Sequence, residues 1–284
     1  MKKIRIVADS TCDLSPELIE KYDITIVPLC IIMDEKSYYD GVDITPDDIF
    51  KWADENKTTP KTAATPFDVT QDKFQPFVDA GDDIIFFGIS SKMSSTCQVA
   101  RLVAEQMEYD RIFVIDSENL STGIGLQILR AAEMAADGRS AEEIVEAIEG
   151  ARSLVRASFV VDTLTFLARG GRCTAVTAMM ATALKFHPLI TVKDGAMGAG
   201  KKYRGKMTPV LKAYVEDLTP SLLNADPRRV FLTHSGSDEE TINTVKEELL
   251  KLNYFDEILI TRAGGVISSH CGPNALGVLF YEKN

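Results

Sequence analysis

The segment that most constrains the fold is an apolar run of strand length that ends in a loop rich in hydroxyl groups. Residues 82–88 read Asp-Asp-Ile-Ile-Phe-Phe-Gly, and the polar loop after them contains Ser90, Ser91, Ser94, Ser95 and Thr96. Apolar residues then recur at helical spacing, at Val99, Leu102, Val103 and Met107. This order predicts a buried strand that leads through a short polar loop directly into a helix.

The predicted strand, loop and helix form a candidate anion-binding site. Open α/β sheets bind ligands outside the carboxyl ends of their strands, where the first N–H groups of the next helix have no partner. Serine and threonine hydroxyls in the loop would add further donors. An ordinary helix cap is the simpler alternative, because a serine at a helix start needs no ligand. Both interpretations stay open at this point.

Strands and helices alternate through the first half of the chain. Further runs of strand length lie at 4–8, 24–33 and 111–116. Helix starts are predicted at Ser15, Thr45 and Thr65, each followed by proline, and at Ser140, which opens a capping box. The polar segment 57–64 is predicted to be a loop. Such alternation favours a mostly parallel sheet with helices on both faces.

The second half is again α/β, with a predicted hairpin. Strands at 189–192 and 199–203 flank a turn that starts at Asp194-Gly195, and helix starts are predicted at Thr208 and Ser237. Because 284 residues exceed most single cores, we expect two domains. The prediction is an N-terminal α/β domain over residues 1–156, a C-terminal α/β domain with a mixed sheet over residues 157–284, and a ligand between them.

The charge and cysteine pattern excludes several classes of protein. A net charge of −11 without a long basic run argues against non-specific binding to nucleic acid or to anionic lipid surfaces. The five cysteines lie far apart and form no C-x-x-C pair, which favours a reducing cytoplasm over a disulfide framework or a zinc site. We see no secretion signal and no 18-residue apolar run, so we expect a cytoplasmic protein without membrane insertion.

Two further segments carry side chains suited to an anion. His270 lies in the segment Ser-His-Cys-Gly-Pro, which is predicted to be a turn, and its imidazole can donate a hydrogen bond to a carboxylate or phosphate. Arg169 and Arg172 flank two glycines and could contact an anion or a protein partner. The alternatives are a loop histidine without a function and an ordinary helix C-cap.

Two patterns raise the possibility of an enzyme. Residues 195–201 have the spacing of a phosphate-binding P-loop, but Lys202 stands where that motif requires Ser or Thr, so a hairpin turn is favoured. Ser94 with His270 as its base would suit a hydrolase or phosphotransferase, although no G-x-S-x-G elbow is present. A sensor of another small anionic molecule is a third hypothesis.

Several separated segments occur together in the order found in one protein family. They are Val7–Leu14, Thr62 in its loop, Ile89–Gln98, Leu167–Arg172 and Ser269–Pro273. In these segments, which span essentially the full chain, the sequence resembles the DegV family of bacterial two-domain proteins that bind long-chain fatty acids. The resemblance implies a carrier without catalytic activity or cofactor, which presents the carboxylate of a fatty acid such as palmitate, stearate or oleate to a separate fatty acid kinase for acyl-phosphate formation.

The resemblance also implies roles for individual residues. Ser94 would donate its hydroxyl to the fatty-acid carboxylate, Thr62 would be a second donor, and Thr65 competes with Thr62 for that role. The N–H groups of Ser95 and Thr96 would supply the helix terminus, and His270 would complete the polar end.

Two further pairs of residues are assigned roles other than binding the carboxylate. Met179 and Met180, on a predicted helix, are candidates for covering the acyl chain between the domains. Arg169 and Arg172 are candidates for contacting the kinase or the phosphate donor.

Overall fold

A computed structural model describes residues 2–173 and 186–283 of the chain. The strands are β1 (Ile4–Asp9), β2 (Thr25–Val27), β3 (Cys30–Met33), β4 (Lys36–Tyr39), β5 (Lys61–Ala63), β6 (Asp83–Gly88), β7 (Ile112–Asp116), β8 (Val155–Val160), β9 (His187–Lys193), β10 (Ala196–Tyr203), β11 (Ala225–His234), β12 (Glu257–Arg262) and β13 (Leu276–Glu282). Met179 and Met180 lie outside the described residues.

The helices connect these strands on both faces of the sheets. They are α1 (Pro16–Lys21), α2 (Pro46–Asn56), α3 (Phe67–Asp79), α4 (Thr96–Gln106), α5 (Thr122–Ala136), α6 (Ala141–Ala151), α7 (Thr165–Gly170), α8 (Met207–Leu222), α9 (Glu239–Lys251) and α10 (Gly265–Cys271). Short 3₁₀ turns follow β1 and α6, at Ser10–Cys12 and Arg152–Leu154. No helix in the described ranges combines the length and apolar character that crossing a bilayer requires.

The first sheet is parallel throughout, as the alternation of strands and helices predicts. Its strand order is β2-β1-β6-β7. Every residue of β6 is buried, because helices cover both faces of a parallel sheet and a central strand must therefore be apolar on both sides. The carboxyl ends of β1, β6 and β7 meet at one edge, and the polar loop with Ser94 follows β6 there.

A small antiparallel sheet in the order β4-β3-β5 was not predicted. The apolar run 24–33 is divided at Pro28, which lacks an N–H group for a sheet, so that β2 joins the parallel sheet and β3 the small one. The segment 57–64 is not all loop. Its residues Lys61–Ala63 form the edge strand β5, in which Thr62 pairs with Ile31 of β3.

The second sheet is mixed, as predicted, with the order β10-β9-β8-β13-β11-β12. β11 and β12 pair in parallel, and the other neighbours pair antiparallel. The P-loop-like glycines belong to the hairpin of β9 and β10, whose turn places Asp194 and Gly195 at φ 49° and 75°. They do not lead into a helix, which a P-loop requires.

The cap predictions were right at Ser15, Thr45 and Ser140 and wrong at three other positions. Thr45 and Ser140 both form capping boxes. Helix α3 starts after Pro66, and the Thr65 hydroxyl donates instead to the carbonyl of Pro28 at 2.7 Å. Helix α8 starts one residue before Thr208, and Asp238 rather than Ser237 caps α9 because its carboxylate accepts from the N–H of Thr241.

Helix α5 lies between the two large sheets and contacts β1, β8 and β13. The apolar cluster around it combines Ile124 and Leu129 from this helix with Phe159 and Ile267 from the second half of the chain. This contact brings the polar loop after β6 close to the elements that carry the C-terminal site residues. The division into domains near residue 157 stays a prediction.

Candidate ligand-binding site

A cavity of about 190 Å³ lies where the loop after β6, the edge strand β5 and helix α10 meet. Its polar lining comes from Thr62, Ser94, Ser95, Arg172 and His270. Its apolar lining comes from Leu29, Ala63, Ala64, Ile89, Met93, Leu120, Met197, Val266 and Ile267, with Cys271 beside them. Residues from most of the chain therefore converge on one space that has a polar end and apolar walls.

Thr62 and His270 form the most direct contact across this cavity. Thr62 Oγ1 lies 2.8 Å from Nε2 of His270, so the hydroxyl of the edge strand β5 and the imidazole of α10 are hydrogen-bonded. Thr65 is buried and bonded to Pro28, and it does not line the cavity. Of the two threonines considered for the second donor, the structure brings Thr62 to the site.

His270 lies in helix α10, and the prediction of a turn was wrong. Burial lowers the pKa of its imidazole to about 4, and the positive charge of Arg172 adds to that shift, so the ring is neutral at pH 7. The second ring nitrogen, Nδ1, is buried without a hydrogen-bond partner in the described part of the chain. Because Nδ1 has no acceptor there, the neutral ring carries its proton on Nε2, facing Thr62.

Ser94 is held by the start of helix α4. Its hydroxyl lies 2.8 Å from that of Thr96, and it accepts the N–H of Thr96 at 3.3 Å. Thr96 is buried behind Ser94 and does not line the cavity, contrary to the expectation that its N–H faces a ligand. Ser95 lines the cavity, and its N–H makes no hydrogen bond to any of the described residues, so it is a free donor at a helix N-terminus.

The pair that a serine hydrolase needs is not formed in this arrangement. Within residues 2–173 and 186–283, the Ser94 hydroxyl bonds to Thr96, and Nε2 of His270 bonds to Thr62. A general base must lie within hydrogen-bond reach of the proton that it removes. The geometry therefore presents Ser94 and Thr62 as donors to a ligand, with His270 bonded to Thr62, rather than a nucleophile and its base.

The two arginines occupy different positions. Arg172 is exposed, lines the cavity and donates to the carbonyl of Gly170 at 2.8 Å. Arg169 is exposed, does not line the cavity, and makes no ion pair or hydrogen bond with the described residues. The tight turn between them ends α7, with Gly171 at φ 66°. Arg172 can therefore act on a ligand directly, whereas Arg169 faces outward.

A second, smaller cavity of about 30 Å³ adjoins the first. The two cavities share three wall residues, Leu120, Ile267 and Cys271, and the inner one also contacts Phe159 and Leu279. Both the shared wall and the inner lining are predominantly apolar. The two cavities therefore adjoin across a predominantly apolar wall.

Sequence reasoning did not identify the apolar lining. Leu29 lies just before β3, Met197 lies in a hairpin strand and Ile267 in a short helix, and more than 200 positions separate the first from the last. Helical or strand periodicity reports which face of one element is buried, and it does not report which elements meet. Only Ile89 and Met93 could have been predicted as lining residues from the sequence, because they lie beside the hydroxyl residues of the loop after β6.

Comparisons with known proteins agree on one family. A family model described as an uncharacterised protein of the DegV family matches residues 3–283. A DegV domain-containing protein of Caldanaerobacter subterraneus is 34% identical over 283 residues, covering 100% of both chains.

Two solved structures are similar over nearly their whole length. A DegV family protein of Thermus thermophilus, described in terms of fatty acid binding, is 30% identical with a TM-score of 0.91, over 99% of this chain and 100% of that one. A stearic acid-binding protein of Eubacterium ventriosum is 33% identical with a TM-score of 0.87, over 100% of this chain and 99% of the other.

Proposed function

Because the chain belongs to the DegV family, we propose that it binds one long-chain fatty acid in the cavity between β5, α4 and α10. The observation that carries this proposal is the convergence of the Ser94 and Thr62 hydroxyls and His270 on a cavity whose other walls are mostly apolar. A fatty acid has the same division into a small polar head and a long apolar chain. The descriptions of the Thermus and Eubacterium relatives as fatty-acid-binding proteins support this ligand class.

The carboxylate is held chiefly by neutral donors, and the guanidinium of Arg172 lies at the same cavity. Ser94 and Thr62 donate through their hydroxyls, and Ser95 donates through its free N–H at the start of α4. Hydrogen bonds to an ionised group are about twice as strong as those between neutral groups. The N-terminus of the 11-residue helix α4 adds a partial positive charge on the same side. These interactions offset the acidic net charge of the protein.

The acyl chain lies against the apolar walls and continues from the outer cavity toward the inner one. Leu120 and Ile267 stand between the two spaces, and a chain that separates their side chains reaches Phe159 and Leu279. Each buried CH₂ group contributes about 0.8 kcal/mol. A chain of palmitate, stearate or oleate length therefore gains more free energy from burial than the head group does from its hydrogen bonds.

The bound acid serves as the substrate of a separate fatty acid kinase, which forms the acyl-phosphate. In this proposal the protein is a cytoplasmic carrier and not a catalyst, since Ser94 and His270 are not paired as nucleophile and base. Arg172 lies beside the polar end, and Arg169 is exposed next to it without a partner among the described residues. Both are positioned to contact an anionic phosphate donor or the kinase.

Mass spectrometry of an organic extract from the purified, never-delipidated protein tests the proposal. We expect a near-stoichiometric fatty acid in the wild-type extract and its loss in a Ser94→Ala, Thr62→Ala double variant. Thr65→Val is the matched control, because that hydroxyl bonds to Pro28 outside the cavity. A clean wild-type extract, with no uptake of added oleate or palmitate, would reject fatty acid binding and favour another small anionic ligand.

A further inference from the structure

Three buried aspartates lie outside the lining of the ligand cavity. Asp9, Asp13 and Asp40 are at most 5% exposed, and each uses both carboxyl oxygens as hydrogen-bond acceptors. They do not form a metal site, since no group of three or more His, Cys, Asp or Glu in the described ranges is arranged to hold a metal ion. Buried carboxylates are costly, so their partners indicate what they do.

Two of these aspartates hold the start of helix α10, which carries His270. Asp13 accepts the N–H of Gly264 at 2.8 Å, and Asp40 accepts the N–H of Gly265 at 2.7 Å. The approach is close: a Cβ atom on Gly265 would lie 2.8 Å from Asp40 Oδ1 and 2.6 Å from the side chain of Ile31. The chain therefore needs glycine here so that α10 can be pulled against the aspartate.

Asp40 is also connected to the sheet that carries Thr62. Its backbone N–H donates to the carbonyl of Leu29 at 2.9 Å, and its second carboxyl oxygen accepts the hydroxyl of Ser10 at 2.8 Å. The same hydroxyl accepts the N–H of Leu29 at 3.2 Å. Leu29 lies just before β3, and β3 pairs with β5 at Thr62. One side chain thus links the helix with His270 to the strands with Thr62.

We propose that Asp40 is a positioning residue for the ligand-binding site: by holding α10 against β3, it keeps His270 in register with Thr62. This proposal rests on the fatty-acid-binding function proposed above. Asp40 touches neither His270 nor the cavity, and it acts through the backbone of Gly265 and Leu29. The hydrogen bond between Thr62 and His270 joins two separate elements, and a shift of about 1 Å in α10 would break it.

The test compares Asp40→Ala and Asp40→Asn with Tyr214→Phe. Asparagine keeps an acceptor for the N–H of Gly265, so it should rescue the position of α10 where alanine does not. Tyr214 is fully buried on the other side of the mixed sheet and bonds to Ser158 and Val278, so its phenylalanine variant loses comparable stability at a distance from the site. Two quantities are measured on each variant: the oleate Kd and the pKa of His270 by NMR of ¹³C-labelled histidine.

We expect Asp40→Ala to weaken oleate binding by about tenfold or more and to move the pKa of His270 from about 4 toward the ordinary 6.5, because a displaced α10 admits water to the ring. Asp40→Asn and Tyr214→Phe should leave both quantities near wild type. The inference is overturned if Asp40→Ala lowers the melting temperature but changes neither the Kd nor the histidine pKa, or if Tyr214→Phe changes both as much.

The histidine titration separates this inference from the function on which it rests. If the wild-type protein binds no fatty acid, the proposed function fails, and the titration still decides whether Asp40 positions His270. If Asp40→Ala does not fold, Gly265→Ala is the deciding variant, because its Cβ would push α10 away from Asp40 Oδ1. A pKa of His270 moved toward 6.5 in the folded variant supports the inference, and a pKa that stays near 4 contradicts it.

Discussion

The hydroxyl of Thr62 and the imidazole of His270 are hydrogen-bonded at 2.8 Å although 208 positions separate them in the chain. The bond has a direction, because the unpartnered Nδ1 places the proton of the neutral ring on Nε2. Nε2 then donates, and Thr62 accepts through its oxygen. The hydroxyl proton of Thr62 is left free, so it can point into the cavity at a carboxylate. His270 thus orients the donor that faces the ligand.

Removing the two hydroxyls should weaken ligand binding without unfolding the protein. Thr62→Val and Ser94→Ala each delete one donor to the carboxylate, and a hydrogen bond to a charged group contributes about 1.5–3 kcal/mol, so we expect about 10- to 100-fold weaker oleate binding from each. Titration calorimetry measures the change. Thr65→Val should bind oleate as the wild type does while melting at a lower temperature, because it leaves the buried carbonyl of Pro28 without its donor. Equal affinities for all three variants would contradict the assignment.

One half of the candidate site could be predicted from the local sequence pattern alone. The apolar run of β6, the hydroxyl loop and the periodicity of α4 are adjacent in sequence, so the local pattern alone places Ser94 and Ser95 at the carboxyl edge of a parallel sheet. The fold class followed from the same alternation of strands and helices.

The other half depends on contacts between distant segments. β5 has only three residues, one of them the charged Lys61, and no apolar alternation, and it is a strand because β3 pairs with it. Helix α10 has glycine at its N-cap and at its first position and contains two serines, which are poor helix formers. The carboxylates of Asp13 and Asp40 hold the amides of these two glycines. Neither partner is visible from the local sequence, so Thr62 was predicted in a loop and His270 in a turn.

The neutral state of His270 should make the protein lose stability in acid. Its pKa is about 4 in the folded protein and near 6.5 when exposed, so between these values the unfolded state binds more protons, and stability rises with pH. This contribution amounts to about 3 kcal/mol between about pH 4 and pH 7. His270→Asn removes it. We expect the stability of wild type minus that of His270→Asn, measured by urea unfolding, to be larger at pH 7 than at pH 4. A difference independent of pH would show that the imidazole is not buried.

Asp9 should have the opposite effect over nearly the same range. Burial raises the pKa of its carboxyl from 3.8 to about 6, so the folded state binds more protons between these values. Its contribution to stability is present below about pH 4 and is lost as the pH rises through 6, a change of about 3 kcal/mol. Asp9→Asn should therefore gain stability relative to wild type between pH 4 and pH 7, measured in the same urea experiment. The reverse trend would mean that the hydrogen bonds from Thr11 and Ile89 outweigh burial.

The two arginines should differ in what they affect. Arg169 is exposed and away from the cavity, so Arg169→Ala should slow acyl-phosphate formation by a fatty acid kinase while the oleate Kd stays at the wild-type value. Arg172 lines the cavity, and its charge lowers the pKa of His270, so Arg172→Ala should change both the phosphorylation rate and the oleate Kd. Phosphorylation is followed with ATP at saturating oleate. An Arg169→Ala variant that is phosphorylated at the normal rate would remove Arg169 from the proposed contact surface.

Substitutions at two adjacent glycines distinguish the effect of displacing His270 from the effect of a general loss of stability. A Cβ atom at Gly170 would lie 2.2 Å from Nδ1 of His270, too close for both to keep their positions, so we expect Gly170→Ala to displace the ring from Thr62. At Gly171 a Cβ would meet nothing within 4 Å, but φ is +66°, so alanine there costs about 1 kcal/mol in backbone strain.

We therefore expect Gly170→Ala to weaken oleate binding by about tenfold or more, since the orienting partner of the Thr62 hydroxyl is lost. Gly171→Ala should lower the melting temperature and bind oleate normally. Gly150→Ala, in open space on α6, should do neither and controls for the substitution itself. If Gly171→Ala loses as much affinity as Gly170→Ala, the shape of the turn matters rather than the imidazole. Wild-type affinity in Gly170→Ala would show that His270 can move without loss of the carboxylate site.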